Sequence, residues 1–172
     1  MINNQELIFA VDENNQPIES VVREKAHAEG IWHRGTDIIV MNDKNEILCN
    51  KRSMLKVHSP GCWDPAFGGH CLAGQDILEN ARQELFEESG LNAKPEDLEF
   101  VETIKWDNGL NKEFRYVYVY RWEGDLKDLK LEKEEVDEVK WMDLKNVAAN
   151  KNNKAEWSPM PYIDLLIKRF SN

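Results

Sequence analysis

The sequence predicts an α/β fold in which a mixed β-sheet is packed against helices. Short runs rich in β-branched and aromatic residues alternate with a few amphipathic segments, and turn signals separate them. No linker, repeat or low-complexity stretch divides the 172 residues, of which 41% are hydrophobic. We therefore expect a single domain over 1–172, with an N-terminal hairpin and lead-in over 1–34 and a C-terminal helix within 160–171.

The strand predictions depend on three pairs of apolar runs, each interrupted by a turn rich in Asn, Asp, Gly or Pro. The predicted hairpins join 7–11 with 18–22, 36–41 with 47–51, and 98–106 with 113–122. The run 114–120 is mainly β-branched and aromatic, which favours a central strand. Helices are predicted over 76–89, over 143–149 after a short strand at 139–142, and over 161–169.

The charge balance narrows the class of partner. The net charge is −10 at pH 7, which argues against a general binder of nucleic-acid polymers or membrane surfaces. A phosphate-bearing substrate would have to be attracted locally, by metal ions and a few placed cations. The three cysteines lack disulfide or zinc spacing, and no run is apolar enough for a membrane helix. We expect a cytoplasmic protein with reduced cysteines; its oligomeric state is left open, a homodimer included.

One segment carries three carboxylates on the same face of a predicted helix. Glu84, Glu87 and Glu88 stand at i, i+3 and i+4, where side chains are neighbours and like charges repel. A hard divalent cation with oxygen ligands, Mg²⁺ or Mn²⁺, would neutralise such a cluster. The alternative is a solvated acidic face, which is the usual role of a charge run. Gly74 and Gly90 bracket the segment, so it is typical of a loop–helix–loop unit.

The same segment, 69–91, resembles the Nudix box, whose pattern is G-x5-E-x7-R-E-U-x-E-E-x-G-U with U an aliphatic residue. The matching positions are Gly69, Glu84, Leu85, Glu87, Glu88, Gly90 and Leu91. Two positions depart from the pattern, because Gln75 replaces a Glu and Gln83 replaces an Arg. In the family these two residues support the metal-binding glutamates, so the departures bear on catalytic rate more than on metal binding.

The resemblance implies an α/β/α sandwich and a divalent-metal-dependent hydrolase of small diphosphate compounds. The substrate would be a nucleoside diphosphate linked to another moiety, or an isoprenoid diphosphate. Glu84, Glu87 and Glu88, with the Gly69 carbonyl, would hold Mg²⁺, or Mn²⁺ in its place, to neutralise charge and acidify the attacking water. Candidates for the general base are Glu88, Glu113 and Glu135. For Glu135 the alternative is a solvated loop, because many acids surround it.

Segments outside the box resemble the isopentenyl-diphosphate isomerase branch of the family. They are 23–34, 50–56, 60–64 and the tail 157–159. The resemblance implies that Arg52 and Lys56 contact the diphosphate, although each could equally be a surface cation, and His70 is expected to line the cleft. Isomerases bind metal through histidines that His27, His33 and His70 resemble. Their spread along the chain gives that site little weight, so we expect His27 and His33 to form hydrogen bonds within the N-terminal packing.

Two departures favour hydrolysis over isomerisation. Isomerases carry a catalytic cysteine directly before the Gly-His pair, where this chain has Gly68, and an aromatic residue after the Ser-Pro of the tail, where it has Met160. Moving protons on an unactivated alkene needs that acid and an opposing base. An isomerase-like enzyme with an altered acid stays an alternative, as does a non-catalytic module that binds or senses a diphosphate ligand. Trp63 and Trp106 are candidates to stack on a base or ring.

Overall fold

The elements of the fold follow the predicted alternation of strands and helices. The computed structural model describes residues 6–109 and 111–171. The strands are β1 (Leu7–Ile8), β2 (Val21–Val22), β3 (His33–Met41), β4 (Glu46–Arg52), β5 (Trp63–Asp64), β6 (Leu98–Asp107), β7 (Lys112–Arg121) and β8 (Val136–Asp143). The helices are α1 (Arg23–Glu29), α2 (Ile77–Ser89), α3 (Leu144–Ala149) and α4 (Ile163–Phe170). The sequence did not predict α1, whereas α2, α3 and α4 occupy the three predicted helical segments.

Six of the strands form one mixed sheet. Its order is β5-β4-β3-β7-β6, and β8 pairs with β4 outside this path. β3 and β7 run parallel, in a register that starts with His33 opposite Glu113. The pairs β6–β7, β3–β4, β4–β5 and β4–β8 are antiparallel. The run predicted to be central, β7, lies between β3 and β6.

Helices cover both faces of the sheet. Successive side chains of a strand point to opposite faces, so β3 contributes to a core on each side. Ile38 and Val40 of β3 belong to a core cluster that includes Leu85 of α2. Ile39 and Met41 belong to a second cluster, which includes side chains from α3 and α4. The result is the predicted α/β/α sandwich. In the part of the chain that the structure describes, no helix has the length and apolar character needed to cross a membrane.

Two of the three predicted hairpins are confirmed, and the third is wrong beyond its turn. β6 and β7 pair from one end to the other, while β1 and β2 pair over two residues each and are shorter than predicted. β3 and β4 are in register only at Met41 and Ile47, beside their turn. The two strands diverge because each has a stronger partner: β3 pairs along its length with β7, and β4 pairs along its length with β8.

Local signals set both ends of α2, the helix that carries the predicted metal ligands. The Asp76 side chain accepts hydrogen bonds from the backbone N–H groups of Leu78 and Glu79, at 2.9 and 3.1 Å, and so caps the N-terminus. Gly90 ends the helix with a φ of 78°, a left-handed conformation that glycine adopts readily. The helix therefore begins and ends within a residue of its predicted bounds.

Candidate active site

A cavity of about 700 Å³, the main cavity, lies beside α2. Its other walls come from α1, the loop after β4, the turn between β6 and β7, and the tail before α4. The sequence-predicted site residues on its lining are Arg52, Lys56, Gly69, His70, Glu84, Glu87, Glu88, Glu113 and Glu135. The fold thus brings these nine residues to one cavity, although the role of each stays a prediction.

The carboxylates of Glu84, Glu87 and Glu88, called here the glutamate face, line this cavity from α2. Glu88 is 8% exposed, and its Oε2 accepts a hydrogen bond from the Gly68 backbone N–H at 3.0 Å. Burial, followed by the charge of Glu84, raises the pKa of Glu88 to about 8. Burial and the charge of Glu87 raise the pKa of Glu84 to about 7. Full ionisation of this face is therefore unfavourable without a positive partner, and a bound cation would make it favourable.

Gly69 lies against the carboxylate of Glu84, which a side chain at this position would displace. A Cβ added at this position would be 2.6 Å from Oε2 of Glu84, far inside van der Waals contact. The carboxylate occupies the space that a side chain would take. The Gly69 carbonyl accepts a hydrogen bond from the Thr36 N–H at 2.9 Å, so a metal ion would have to use its second lone pair.

The donor set on this side of the cavity fits a hard divalent cation. Carboxylate and carbonyl oxygens are the ligands that Mg²⁺ and Mn²⁺ prefer. The missing side chain at Gly69 leaves the carboxylate of Glu84 free to approach the backbone, and the raised carboxyl pKa values mark a site that lacks positive charge. Both observations agree with the predicted metal site.

Two glutamines support the glutamate face where the box pattern has an acid and a base. Nε2 of Gln75 donates to Oε1 of Gln83 at 2.9 Å, and Nε2 of Gln83 donates to Oε1 of Glu87 at 2.7 Å. Oε1 of Gln75 accepts from the Leu72 backbone N–H at 3.1 Å, which anchors the chain of bonds. This glutamine relay (Gln75 and Gln83) is neutral and ends on a predicted metal ligand, so it can orient Glu87 without an ion pair.

Three histidines form a second group of potential ligands in the same region. One ring nitrogen from each of His27, His33 and His70, called here the histidine cluster, lies within 4.8 Å of the others. The Nε2 atoms of His27 and His70 are 3.3 Å apart, and Nε2 of His33 is buried with no hydrogen-bond partner among the described residues. Burial lowers the pKa of His70 well below its ordinary value and that of His27 to about 4. These two rings are therefore neutral at pH 7, and each offers a lone pair to a metal.

The expectation that His27 and His33 serve the N-terminal packing holds only in part. Nδ1 of His33 lies 2.9 Å from the Ile31 carbonyl oxygen, but its Nε2 is 3.7 Å from Oε1 of Glu113. α1 carries His27, β3 carries His33 and the loop before α2 carries His70. No period along the chain links these positions, so sequence reasoning gave the cluster too little weight.

Glu113 is restrained by its neighbours and is a poor proton acceptor. Its Oε2 accepts a hydrogen bond from Arg115 at 2.7 Å, and its Oε1 accepts one from Nδ2 of Asn111 at 2.6 Å. Burial would raise the pKa of Glu113, but the Arg115 charge and the nearby histidines lower it more, to well below its usual range. Arg115 also pairs with the buried carboxylate of Asp37. These contacts suit Glu113 for orienting its neighbours.

Basic side chains on the loop after β4 and on α1 also line the main cavity. Lys56 pairs with Glu135, and Nη1 of Arg52 lies 3.4 Å from Oδ2 of Asp64. Glu135 is therefore an ion-pair partner at the cavity rather than part of a purely solvated loop. Arg23, the first residue of α1, lines the cavity too and was not predicted as a site residue. Its only signal was that the isomerase-like segment begins at this position.

Of the tryptophan and cysteine side chains considered for the site, one lines the main cavity and the others lie in the core. Of the two stacking candidates, Trp106 lines the main cavity, whereas Trp63 packs against the core cluster on the α3–α4 side. Gly68 stands where isomerases have a cysteine. Cys71, three positions later, is buried; its Sγ lies 3.4 Å from Oδ1 of Asn80, and burial raises the pKa of its thiol to about 12. It cannot supply a thiolate to the cavity near neutral pH.

Comparisons with known proteins agree with this fold. The NUDIX domain family matches residues 31–163. The chain is similar to Isopentenyl-diphosphate Delta-isomerase 2 of Photorhabdus laumondii, with 29% identity over 150 residues that cover 86% of this chain and 83% of that protein. It is also similar to the Uncharacterized Nudix hydrolase CA_C0446 of Clostridium acetobutylicum, with 27% identity over 159 residues that cover 88% and 77% of the two proteins.

A solved structure supports the fold alone. DR0079 from Deinococcus radiodurans aligns with a TM-score of 0.74 and 18% identity, over 96% of this chain and 99% of that one. The family match extends over more than half of the chain and includes the loop–helix–loop unit with the glutamate face. Together with the relatives named as isomerases, it shows that the chain belongs to the Nudix family, in the branch that resembles isopentenyl-diphosphate isomerases.

Proposed function

We propose that the protein is a divalent-metal-dependent hydrolase that cleaves a diphosphate linkage in a small molecule, with Mg²⁺ as cofactor and Mn²⁺ as a substitute. The observation that carries the proposal is the glutamate face, which lines a cavity of about 700 Å³ that also holds basic side chains. Membership of the family of Nudix hydrolases supports it. Cytoplasmic location stays a prediction from the sequence, and so does the possibility of a homodimer.

The glutamate face would hold the cation, with the Gly69 carbonyl as a further ligand. When bound, the cation neutralises charge on the diphosphate and lowers the pKa of the attacking water. The glutamine relay holds Glu87 in place through the 2.7 Å bond from Gln83. Positioning and neutralisation of charge contribute most of the catalysis in phosphoryl transfer, so the geometry of this face would set the rate.

The substrate diphosphate would be bound by Arg23, Arg52 and Lys56, with His70 on the adjoining wall. A chain with a net charge of −10 repels polyphosphates at long range, so these local cations are needed to attract one. Their present partners, such as Glu135 for Lys56, balance them until a phosphate group arrives. This arrangement suits a small diphosphate compound rather than a nucleic-acid polymer.

Glu88 is the proposed acceptor of the proton from water. Its carboxylate is buried beside the other glutamates and receives a hydrogen bond from the Gly68 N–H. The other two candidates are less suited, because Glu113 is held by Arg115 and Glu135 is paired with Lys56. A general base must first have a lone pair within reach of the attacking water. Only then does it matter whether its pKa lies near the working pH.

A second candidate function is an isomerase-like reaction on a diphosphate-bearing alkene, and the histidine cluster is the observation that favours it. Imidazole nitrogens at this spacing would suit Zn²⁺. The reaction also needs an acid and a base on opposite faces of the alkene. Gly68 offers no side chain and Glu113 is neutralised by Arg115, so we rank this function below hydrolysis. A module that binds a diphosphate without turnover ranks third.

The proposal is tested by following the phosphomonoester and phosphate products formed from a panel of nucleoside diphosphate compounds and isoprenoid diphosphates, with Mg²⁺ and with EDTA. We expect metal-dependent turnover that falls by at least ~100-fold in Glu88→Gln, because a neutral amide can neither hold the cation firmly nor accept a proton. Glu79→Gln is the matched control, since Glu79 lies on the same helix but pairs with Arg82 outside the cavity. Turnover that survives EDTA or Glu88→Gln would contradict the proposal.

A further inference from the structure

A buried asparagine lies beside the glutamate face on α2. Asn80 is 1% exposed and stands one helical turn before Glu84. It falls in the x7 run of the box pattern, where no residue type is specified, so the motif does not mark it. A buried amide is costly unless its N–H and carbonyl groups are paired, so its presence inside α2 calls for a definite set of partners.

Both ends of the Asn80 amide have such partners. Its Oδ1 accepts a hydrogen bond from Oγ1 of Thr36 at 2.7 Å, and Sγ of Cys71 lies 3.4 Å from the same atom. Its Nδ2 donates to the His70 carbonyl oxygen at 3.2 Å and to Oε1 of Gln75 at 3.1 Å. The groups around Oδ1 are donors and those around Nδ2 are acceptors, which fixes the orientation of the amide.

The Asn80 amide also connects the two parts of the predicted metal site. Its Nδ2 lies 3.5 Å from Oε1 of Glu84, so the positive end of the amide dipole is near this carboxylate. On its other side, Thr36 donates its backbone N–H to the Gly69 carbonyl at 2.9 Å. One buried side chain therefore links the helix that carries Glu84 to the β3 residue that holds the Gly69 carbonyl.

The glutamine relay begins at this asparagine. Nδ2 of Asn80 donates to Gln75, Nε2 of Gln75 donates to Gln83, and Nε2 of Gln83 donates to Glu87. Every bond runs in the same direction, from donor to acceptor, and ends on a carboxylate. With its contact to Glu84, the Asn80 amide thus joins two of the three carboxylates of the glutamate face through neutral side chains alone.

We infer that Asn80 is a positioning residue for the cation: it sets Glu84 relative to the Gly69 carbonyl and, through the glutamine relay, relative to Glu87. The inference rests on the proposed function, because it assumes that the glutamate face binds a divalent cation. Asn80 lies outside the lining of the main cavity, so it acts through these ligands. Hydrogen-bond partners of metal ligands orient them and increase metal affinity, whereas a purely structural asparagine would contribute to stability alone.

The test is a titration with Mn²⁺ followed by electron paramagnetic resonance, with no substrate present. We expect Asn80→Ala to weaken Mn²⁺ binding by roughly 10-fold. Asn50→Ala is the matched control, since Asn50 is 3% exposed, donates to the Ala66 carbonyl at 2.6 Å and lies outside the lining of the main cavity. Each variant removes a buried amide from a backbone carbonyl, so both should lower the melting temperature, but Asn50→Ala should keep the Mn²⁺ affinity within about twofold of wild type.

A second pair of variants tests the same inference if Asn80→Ala does not fold. Thr36→Val keeps the shape of the side chain but removes the hydroxyl that fixes the Asn80 amide, and it should weaken Mn²⁺ binding by at least ~3-fold. Thr36→Ser keeps that hydroxyl and should restore the affinity to within about twofold of wild type. Equal affinities in Thr36→Val and Thr36→Ser would overturn the inference.

The other outcomes separate this inference from the proposed function. Wild-type Mn²⁺ affinity in folded Asn80→Ala, or the same weakening in Asn50→Ala, would overturn the inference alone. A wild-type protein that binds Mn²⁺ but hydrolyses no compound would contradict the proposed function and leave the role of Asn80 intact. A wild-type protein that binds no Mn²⁺ would contradict both.

Discussion

The glutamate face and the histidine cluster lie in one region of the molecule and differ in origin, charge and chemistry. The glutamate face consists of carboxylates from a single helix, whereas the histidine cluster is assembled from a helix, a strand and a loop. In the first, burial and like charge raise the pKa values of Glu84 and Glu88; in the second, burial lowers the pKa values of His27 and His70. Oxygen donors favour Mg²⁺ and Mn²⁺, and imidazoles favour Zn²⁺ and its neighbours. The two regions should therefore select different metals.

This difference is the reason for ranking hydrolysis above isomerisation in the proposed function. The groups around the glutamate face are those that hydrolysis requires: clustered carboxylates, a supporting relay and basic side chains for phosphate oxygens. The histidine cluster has ligands but lacks the proton donor of an isomerase, since Gly68 stands at that position and Arg115 neutralises Glu113. A set of potential metal ligands is thus not sufficient for the isomerase reaction. Mutations can test the contributions of the two regions separately.

Loss of one carboxylate from the glutamate face should have the largest effect. We predict that Glu87→Gln lowers kcat by at least ~100-fold, because the glutamine amide lacks the charge with which Glu87 would hold the cation. Its melting temperature should change little, since Glu87 is exposed and contributes no core packing. Steady-state kinetics and thermal unfolding measure both quantities, with Glu79→Gln as the control. A wild-type kcat in Glu87→Gln would contradict the assignment of the metal ligands to α2.

The next largest effect concerns the ion pair beside the histidine cluster. Asp37 is 2% exposed and its charge is balanced by Arg115. Arg115→Met should therefore lower the free energy of unfolding by about 3 kcal/mol, since it leaves a buried carboxylate unpaired. Urea unfolding measures the change, and Asp37→Asn combined with Arg115→Met should recover part of it. A loss as small as that of a surface pair, below about 1 kcal/mol, would show that the pair does not hold this part of the cavity together.

The glutamine relay should have an intermediate effect, on rate rather than on stability. Gln83→Leu removes the 2.7 Å hydrogen bond to Glu87 and should lower kcat roughly tenfold, because outer partners of metal ligands typically contribute 10- to 100-fold. The double variant Gln75→Glu with Gln83→Arg restores the family pattern and should keep activity close to wild type. Either single charged variant should be less active than the double variant. Equal activities in the wild-type protein and all four variants would mean that the relay does not orient Glu87.

The glutamate face and the histidine cluster also differ in how well the sequence could predict them. The glutamate face was predictable because one helix, bounded by Asp76 and Gly90, brings together residues that are close in sequence. The histidine cluster depends on long-range contacts that leave no trace in local periodicity: a backbone bridge between Gly35 and His70 brings the loop before α2 to β3, and the parallel pairing of β3 with β7 sets His33 beside Glu113. The pairing of β3 with β7 also explains why β3 and β4 pair only beside their turn, where a complete hairpin was predicted.

Loss of the histidine cluster should have the smallest effect on hydrolysis. We predict that His33→Gln changes Mg²⁺-dependent turnover by no more than about twofold, because it acts on a different set of ligands. The same variant should weaken binding of Co²⁺, used as a spectroscopic substitute for Zn²⁺, since an imidazole nitrogen is lost. Circular dichroism controls for folding. Loss of hydrolysis with an intact fold would mean that the two regions form one catalytic unit.

The location of the metal site is tested most directly by a titration of the protein with Mn²⁺, followed by electron paramagnetic resonance, with no substrate present. We expect the wild-type protein to bind Mn²⁺, Mg²⁺ to displace it, and Glu84→Gln with Glu88→Gln to abolish this binding. We expect His33→Gln to leave the binding unchanged. Mn²⁺ binding that survives the double glutamate variant and disappears in His33→Gln would overturn the assignment of the metal to the glutamate face and move the metal centre to the histidine cluster.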